Sequence, residues 1–140
     1  MLPFLRSDRP LVIGHRGERV VGPENTLEAF ERAARAGADG VELDVRLAKS
    51  GEVVVLHDED LARVTKNADE RRAAHATYRE LREADLGGGA RVPLLADAIE
   101  LARSRGIFVN VEVKRDVPDR TALVRAVARE LGRQPGAEIV

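Results

Sequence analysis

No cysteine occurs anywhere in the sequence. Disulfides and thiolate metal sites are therefore excluded, and nothing speaks for an oxidising compartment. No apolar run approaches the ~20 residues of a membrane span. The opening Met1-Leu2-Pro3-Phe4-Leu5-Arg6 is too short and too soon polar for a secretory h-region. Neither sign of charge prevails: 23 Lys and Arg face 24 Asp and Glu, a formal net charge of −1, so the basic footprint of a nucleic-acid binder is missing. Aromatic residues make up only 3%, and the Arg71-Arg72 pair has none interleaved with it, which makes it a wet surface. The absences leave a soluble, cytoplasmic protein with no nucleic-acid partner and no membrane span as the expectation.

What is present is ordinary globular composition: 140 residues, 44% hydrophobic and 34% charged, enough for one domain with a real core. Leu11-Val12-Ile13 predicts a short buried strand stopped by Gly14. Arg16 to Pro23 is a loop. Asn25 with Glu28 has the spacing of a capping box, and the following helix places Leu27, Phe30, Ala33 and Ala34 on one face until Gly37 ends it as a left-handed cap. Strands are expected from about Gly40 to Leu47 and from Val53 to Leu56. Only Ala48 to Glu52 separates them, too few residues for a helical crossover; a hairpin and an extended crossover both remain open.

The stretch from Leu61 to Ala76 turns polar and Arg-rich and reads as an exposed excursion, with His75 solvated. Thr77 and Glu80 repeat the capping pattern and start a short helix to about Ala84, before the break at Gly87-Gly88-Gly89. A helix follows from Leu94 to Arg105, closed by Gly106. A strand runs from Ile107 to Val113, with Asn110, Glu112 and Lys114 on one side. Another helix spans Asp119 to Leu131, capped at Gly132, and Glu138-Ile139-Val140 looks like the start of one more strand. Alternating strands and helices predict an α/β fold with a largely parallel sheet.

The ionisable residues gather at strand ends. Glu42 and Asp44 are two apart on a strand and share a face, and Glu112 sits late in another. In parallel α/β sheets functional residues collect at the carboxyl ends of strands. Three carboxylates converging there would repel one another without a cation, and an all-carboxylate set suits Mg²⁺ or Ca²⁺ rather than zinc. On a half-exposed strand the same pair would simply face solvent. His15 and His57 each follow an apolar run directly, as a general acid or base would. A single histidine so placed is more often structural. Arg16 offers a fork suited to phosphate, or a salt bridge to Glu18 or Glu24. Lys114 would meet an anion or pair with Glu112.

Five segments together resemble the glycerophosphodiester phosphodiesterase family, in family order and at family-like spacing. They are His15-Arg16-Gly17, Pro23-Glu24-Asn25-Thr26-Leu27-Glu28-Ala29-Phe30, Glu42-Leu43-Asp44-Val45, Leu56-His57-Asp58 and Val111-Glu112-Val113-Lys114. Each is weak alone; the combination is highly specific and covers almost the whole chain. The resemblance implies a TIM-type barrel related to the phosphoinositide-specific phospholipases C. It implies one divalent cation, Mg²⁺ or Ca²⁺, on Glu42, Asp44 and Glu112, acid–base work by His15 and His57, and phosphate contacts from Arg16 and Lys114. The substrate would be a small glycerophosphodiester, hydrolysed to an alcohol and sn-glycerol 3-phosphate; a lysophospholipase D-like activity is the variant. Two turns depart from the family pattern, Ala48-Lys49-Ser50-Gly51 and Pro93-Leu94-Leu95. The larger departure is length, since such a barrel takes about 250 residues. The expectation is therefore an incomplete barrel, an N-terminal half of about four strands with their helices. It would be either active, by self-association through the open edge, or a silent fragment.

Overall fold

Alternating apolar and charged residues in Val41-Glu42-Leu43-Asp44-Val45-Arg46 define the centre of the molecule. In the computed structural model, which describes residues 8–134 and 138–140, they lie in an eight-residue strand, β2 (Gly40–Leu47), numbered after an edge strand β1 (Ile13–His15). One edge of β2 takes β1 in parallel along its first half and β3 (Val53–Val55) antiparallel along its second. The other edge takes β4 (Phe108–Val113) in parallel, with Asp44 opposite Glu112. β2 and β3 thus form a hairpin, closed where the Ala48 N–H donates to the Glu52 carbonyl at 2.9 Å. Beyond β4 a further parallel pairing begins, Ile139 opposite Val109. The opening Met1–Arg6 lies outside the described residues.

The first strand differs from its expectation. It is Ile13–His15, so Gly14 lies inside it, and it is exposed rather than buried. The cause is its place at the sheet edge, where β2 is its one strand partner among the described residues.

Helix starts follow side-chain capping. α1 (Leu27–Arg35) is capped by Thr26, not Asn25: the Thr26 hydroxyl accepts from the Ala29 N–H at 3.2 Å and donates to the Pro23 carbonyl at 2.8 Å. Gly37 follows in the left-handed region, as expected. α2 (Tyr78–Leu81) carries the Thr77–Glu80 capping box and stops short of Ala84. α3 (Leu95–Arg105) ends on left-handed Gly106. α4 (Arg120–Gly132) is capped by Asp119, which accepts from the Ala122 N–H at 2.8 Å. Gly132 is its last helical residue rather than its cap.

Odd-numbered residues of β2 (Val41, Leu43, Val45) form the main core with Phe30 of α1, Leu95 and Ile99 of α3, Val109 of β4, and Leu123 and Val127 of α4. Burying each large side chain contributes roughly 1.5–3 kcal/mol. The even-numbered residues face the other way and carry the charge. A second apolar cluster forms beneath the hairpin from Val54, Leu56, Leu61, Ala73, Ala76, Leu81 and Val92. It corrects the expectation for residues 61–76. That stretch folds back on small buried residues around a 3₁₀ turn, Ala73–His75, and only its outer residues, His75 among them, are exposed.

Candidate active site

Parallel pairing sets the site. Glu42 and Asp44 project from one face of β2, and the register places Glu112 of β4 beside Asp44. Carboxylate oxygens of Glu42, Asp44 and Glu112 all lie within 4.8 Å of one another. These three sequence-predicted residues are thereby brought together. Two cations flank them. Lys114 Nζ is 3.0 Å from Glu112 and 3.4 Å from Asp44, and Arg16 Nε is 3.2 Å from Asp44. Arg16 Nη1 also bonds Glu24 at 3.0 Å, one of the two salt bridges anticipated for it.

Electrostatics betray the crowding. Burial first, and Asp44 second, push the Glu42 carboxyl above the usual carboxylate range, with Glu112 adding to the effect. Burial opposes the charge on Lys114, yet its bonds to Glu112 and the nearby Asp44 outweigh this and raise its ammonium above the ordinary value. Arg16 Nε is buried without a hydrogen bond of acceptable geometry. Too much negative charge for the cations at hand, a strained proton equilibrium on Glu42 and an all-oxygen donor set are what a hard divalent cation would relieve.

The backbone is bent to build this corner. Arg16 and Gly17 both have positive φ, 57° and 80°. For a non-glycine residue that conformation is strained, and here it lets the Arg16 N–H reach the Glu42 side chain at 3.1 Å. Gly17 abuts α1 so closely that a Cβ would fall 2.7 Å from the Ala29 carbonyl carbon, so only glycine fits.

The histidines arrive differently. His15, at the end of β1, stands 3.8 Å from Glu42 and is 55% exposed. His57 follows β3; its Nδ1 lies 2.7 Å from Asp58. Burial works against ionising Asp58, but Arg63 and His57 hold its carboxyl below the usual range. An ionised carboxylate only accepts, so Nδ1 carries the proton and Nε2 is left to exchange one. Arg63 bonds both Asp58 (2.6 Å) and Glu24 (2.7 Å), so charge runs unbroken from His57 through Asp58, Arg63, Glu24 and Arg16 to Asp44.

Two residues of the site escaped the sequence reading. Buried Asn25 adopts φ 54° and gives its side-chain N–H to Asp44 at 2.9 Å. The competing cap at Thr26 hid it. Arg46 continues the two-residue spacing of Glu42 and Asp44 but resembles an ordinary outward charge; it is 3% exposed. Its Nε donates to the His57 carbonyl at 2.9 Å, and its two terminal nitrogens hold the Asp116 carbonyl and carboxylate at 3.0 and 2.7 Å.

Comparison with known proteins accords with this geometry. The model of the glycerophosphoryl diester phosphodiesterase family matches residues 15–132. The chain is 40% identical over 116 residues to a glycerophosphodiester phosphodiesterase of Caldanaerobacter subterraneus, covering 78% of this chain and 47% of the relative. Among solved structures, an Oleispira antarctica phosphodiesterase in complex with its product sn-glycerol-3-phosphate superposes with a TM-score of 0.82 at 28% identity, over 93% of this chain and 56% of that one. The glycerophosphodiester phosphodiesterase of Thermotoga maritima gives a TM-score of 0.76 at 36% identity, over 95% of this chain and 54% of that one. The chain spans about half the length of the curated relatives it matches. Among the described residues no helix is long and apolar enough to cross a membrane.

Proposed function

This chain belongs to the glycerophosphoryl diester phosphodiesterase family, and from that premise we propose that its site hydrolyses glycerophosphodiesters to an alcohol and sn-glycerol 3-phosphate. The observation that carries the proposal is the convergence of Glu42, Asp44 and Glu112, flanked by Arg16, Lys114 and His15. Those carboxylates would hold one divalent cation, Mg²⁺ or Ca²⁺, which supplies charge neutralisation on the non-bridging oxygens of the phosphodiester. Arg16 and Lys114 bind the same phosphate as a fork and a point charge. His57, its Nδ1 fixed on Asp58, exchanges a proton at Nε2, and His15 serves the opposite side of the reaction as its partner in acid–base transfer. The open sheet, with helices against one face and charge on the other, supports an incomplete TIM-type barrel whose inner face bears the site.

A second reading rests on one fact: the chain spans about half of its relatives' length. In that reading the residues are assembled without the wall that completes a pocket, and the chain is silent or associates through its open edge.

The test is release of glycerol 3-phosphate from glycerophosphocholine, with Mg²⁺, with Ca²⁺ and with EDTA. Metal-dependent release is expected. His15→Ala and His57→Ala should each lower it by ~10²–10⁴-fold in a protein that remains folded. Folded chain without release, but with activity in a chain extended to the relatives' length, would establish the second reading instead. Release that survives both histidine substitutions and EDTA would overturn the mechanism.

A further inference from the structure

We infer that Arg46 is a positioning residue: one buried guanidinium that sets the histidine-bearing loop after β3 against the lysine-bearing loop after β4. The inference rests on the hydrolytic reading above for its catalytic consequence, but its geometry stands separately. Arg46 lies on the same face of β2 as Glu42 and Asp44, one step nearer the strand's carboxyl end. Its three nitrogens are divided between two loops. Nε holds the carbonyl of His57 itself; Nη1 and Nη2 hold the backbone and side chain of Asp116, two residues beyond Lys114.

A buried guanidinium is an expensive joint. Well-packed apolar residues of similar volume would often join two loops at equal or better stability, because burying the ion costs desolvation. What they would lack is direction. Arginine's rigid fork fixes where each acceptor sits, and a point charge such as lysine does not. The acceptors it fixes belong to the two segments whose separation the chemistry needs: His57 on one side, and Lys114 with the Glu112–Asp44 pair on the other. The restraint reaches the His57 ring from both ends, since Asp58 holds Nδ1 while Arg46 holds the backbone. Among the described residues His15 has no comparable device; its ion pair there is with Glu42, at 3.8 Å. Asp116 is 66% exposed, yet the bond to Arg46 holds its carboxyl below the usual range, so it stays ionised as the guanidinium's counter-charge.

The experiment uses the full 140-residue chain, with Asp116→Ala and Arg46→Lys. Asp116→Ala keeps the buried arginine but removes its counter-charge, so the fold of each variant is first checked by circular dichroism and its melting midpoint. Arg46→Lys keeps the charge and loses the fork. Two readouts are taken. In ¹⁵N spectra of the histidine rings, His57 signals should shift or broaden in both variants while those of His15 and His75 stay in place. In turnover with saturating divalent cation, kcat should fall ~10-fold for Asp116→Ala and ~100-fold for Arg46→Lys with KM and cation affinity nearly unchanged, as small misplacements of a catalytic group do. Unaltered His57 signals in both variants would overturn the inference. A kcat that holds while only thermal stability falls would do the same, reducing Arg46 to a scaffold residue. Should the parent chain show no cation-dependent turnover while the His57 signals still respond, the positioning role stands and the hydrolytic reading fails.

Discussion

Asp44 and Glu112 sit opposite one another on adjacent strands, yet they live in different surroundings. Asp44 is 1% exposed and is held by Arg16, Lys114 and Asn25; Glu112 is 54% exposed and, among the described residues, is paired with Lys114 alone. The same contrast separates the histidines, with His57 clamped by Asp58 and Arg46 and His15 nearly free. The β2–β3 side of the site is therefore prebuilt. The β1 and β4 rims are open. A prebuilt side fixes distances at a cost in desolvation; an open rim leaves room for ligands to displace existing pairings. Catalytic sites need both, because a fully satisfied cluster has nothing left to offer a substrate.

The sharpest way to break this contrast is to delete one carboxylate from each side. Asp44→Ala strands two largely buried cations that keep only Glu24 and Glu112, and should cost about 3 kcal/mol in urea unfolding, at the lower end for breaking a buried pair. Glu112→Ala removes an exposed ion pair and should cost no more than ~0.5 kcal/mol, while both variants lose cation binding. Equal stability losses would mean that burial is not what distinguishes the two sides.

A smaller effect sharpens it through pH. The Glu42 carboxyl is held above the usual range by burial and Asp44. Such a group contributes stability below its ordinary pKa and loses it as pH rises through the folded value. Glu24, Asp58 and Asp116 are shifted downward, so their contribution is present above the ordinary carboxylate pKa and lost as pH falls through the folded values. Glu42→Gln should therefore raise the melting midpoint of the cation-free chain at pH 7 by a few degrees, where ~1 kcal/mol corresponds to ~3–5 °C, and the gain should vanish near pH 4. A midpoint lowered at pH 7 would show that Glu42 is already neutralised by its neighbours.

Much of this was legible in the sequence because it is periodic. The two-residue spacing in β2 announced the shared face of Glu42 and Asp44, and the capping spacing of Thr77–Glu80 was met in full. The resemblance to the phosphodiesterase family, read from short motifs around His15, Glu42, His57 and Glu112, is borne out by the family match over residues 15–132. What escaped lacks period. Apart from Leu61, residues 61–76 bury only alanines and a threonine, whose small side chains leave no amphipathic trace. Asn25 and Thr26 are neighbours that both suit a cap, and only the fold shows that Thr26 takes that role while Asn25 turns left-handed to serve Asp44. Arg46 reads as solvent-facing until Asp116, 70 residues away, is seen to meet it. Long-range partners of that kind have no signature in spacing.

The most direct test of the central claim is a calorimetric titration of the chain with Mg²⁺ and with Ca²⁺, alongside Glu42→Gln. One cation per chain is expected to bind, with affinity falling as pH drops towards the carboxylate range, and binding should be lost in the variant. Undiminished binding by Glu42→Gln, or none by the parent chain, would contradict the assignment of Glu42, Asp44 and Glu112 as the seat of the cation.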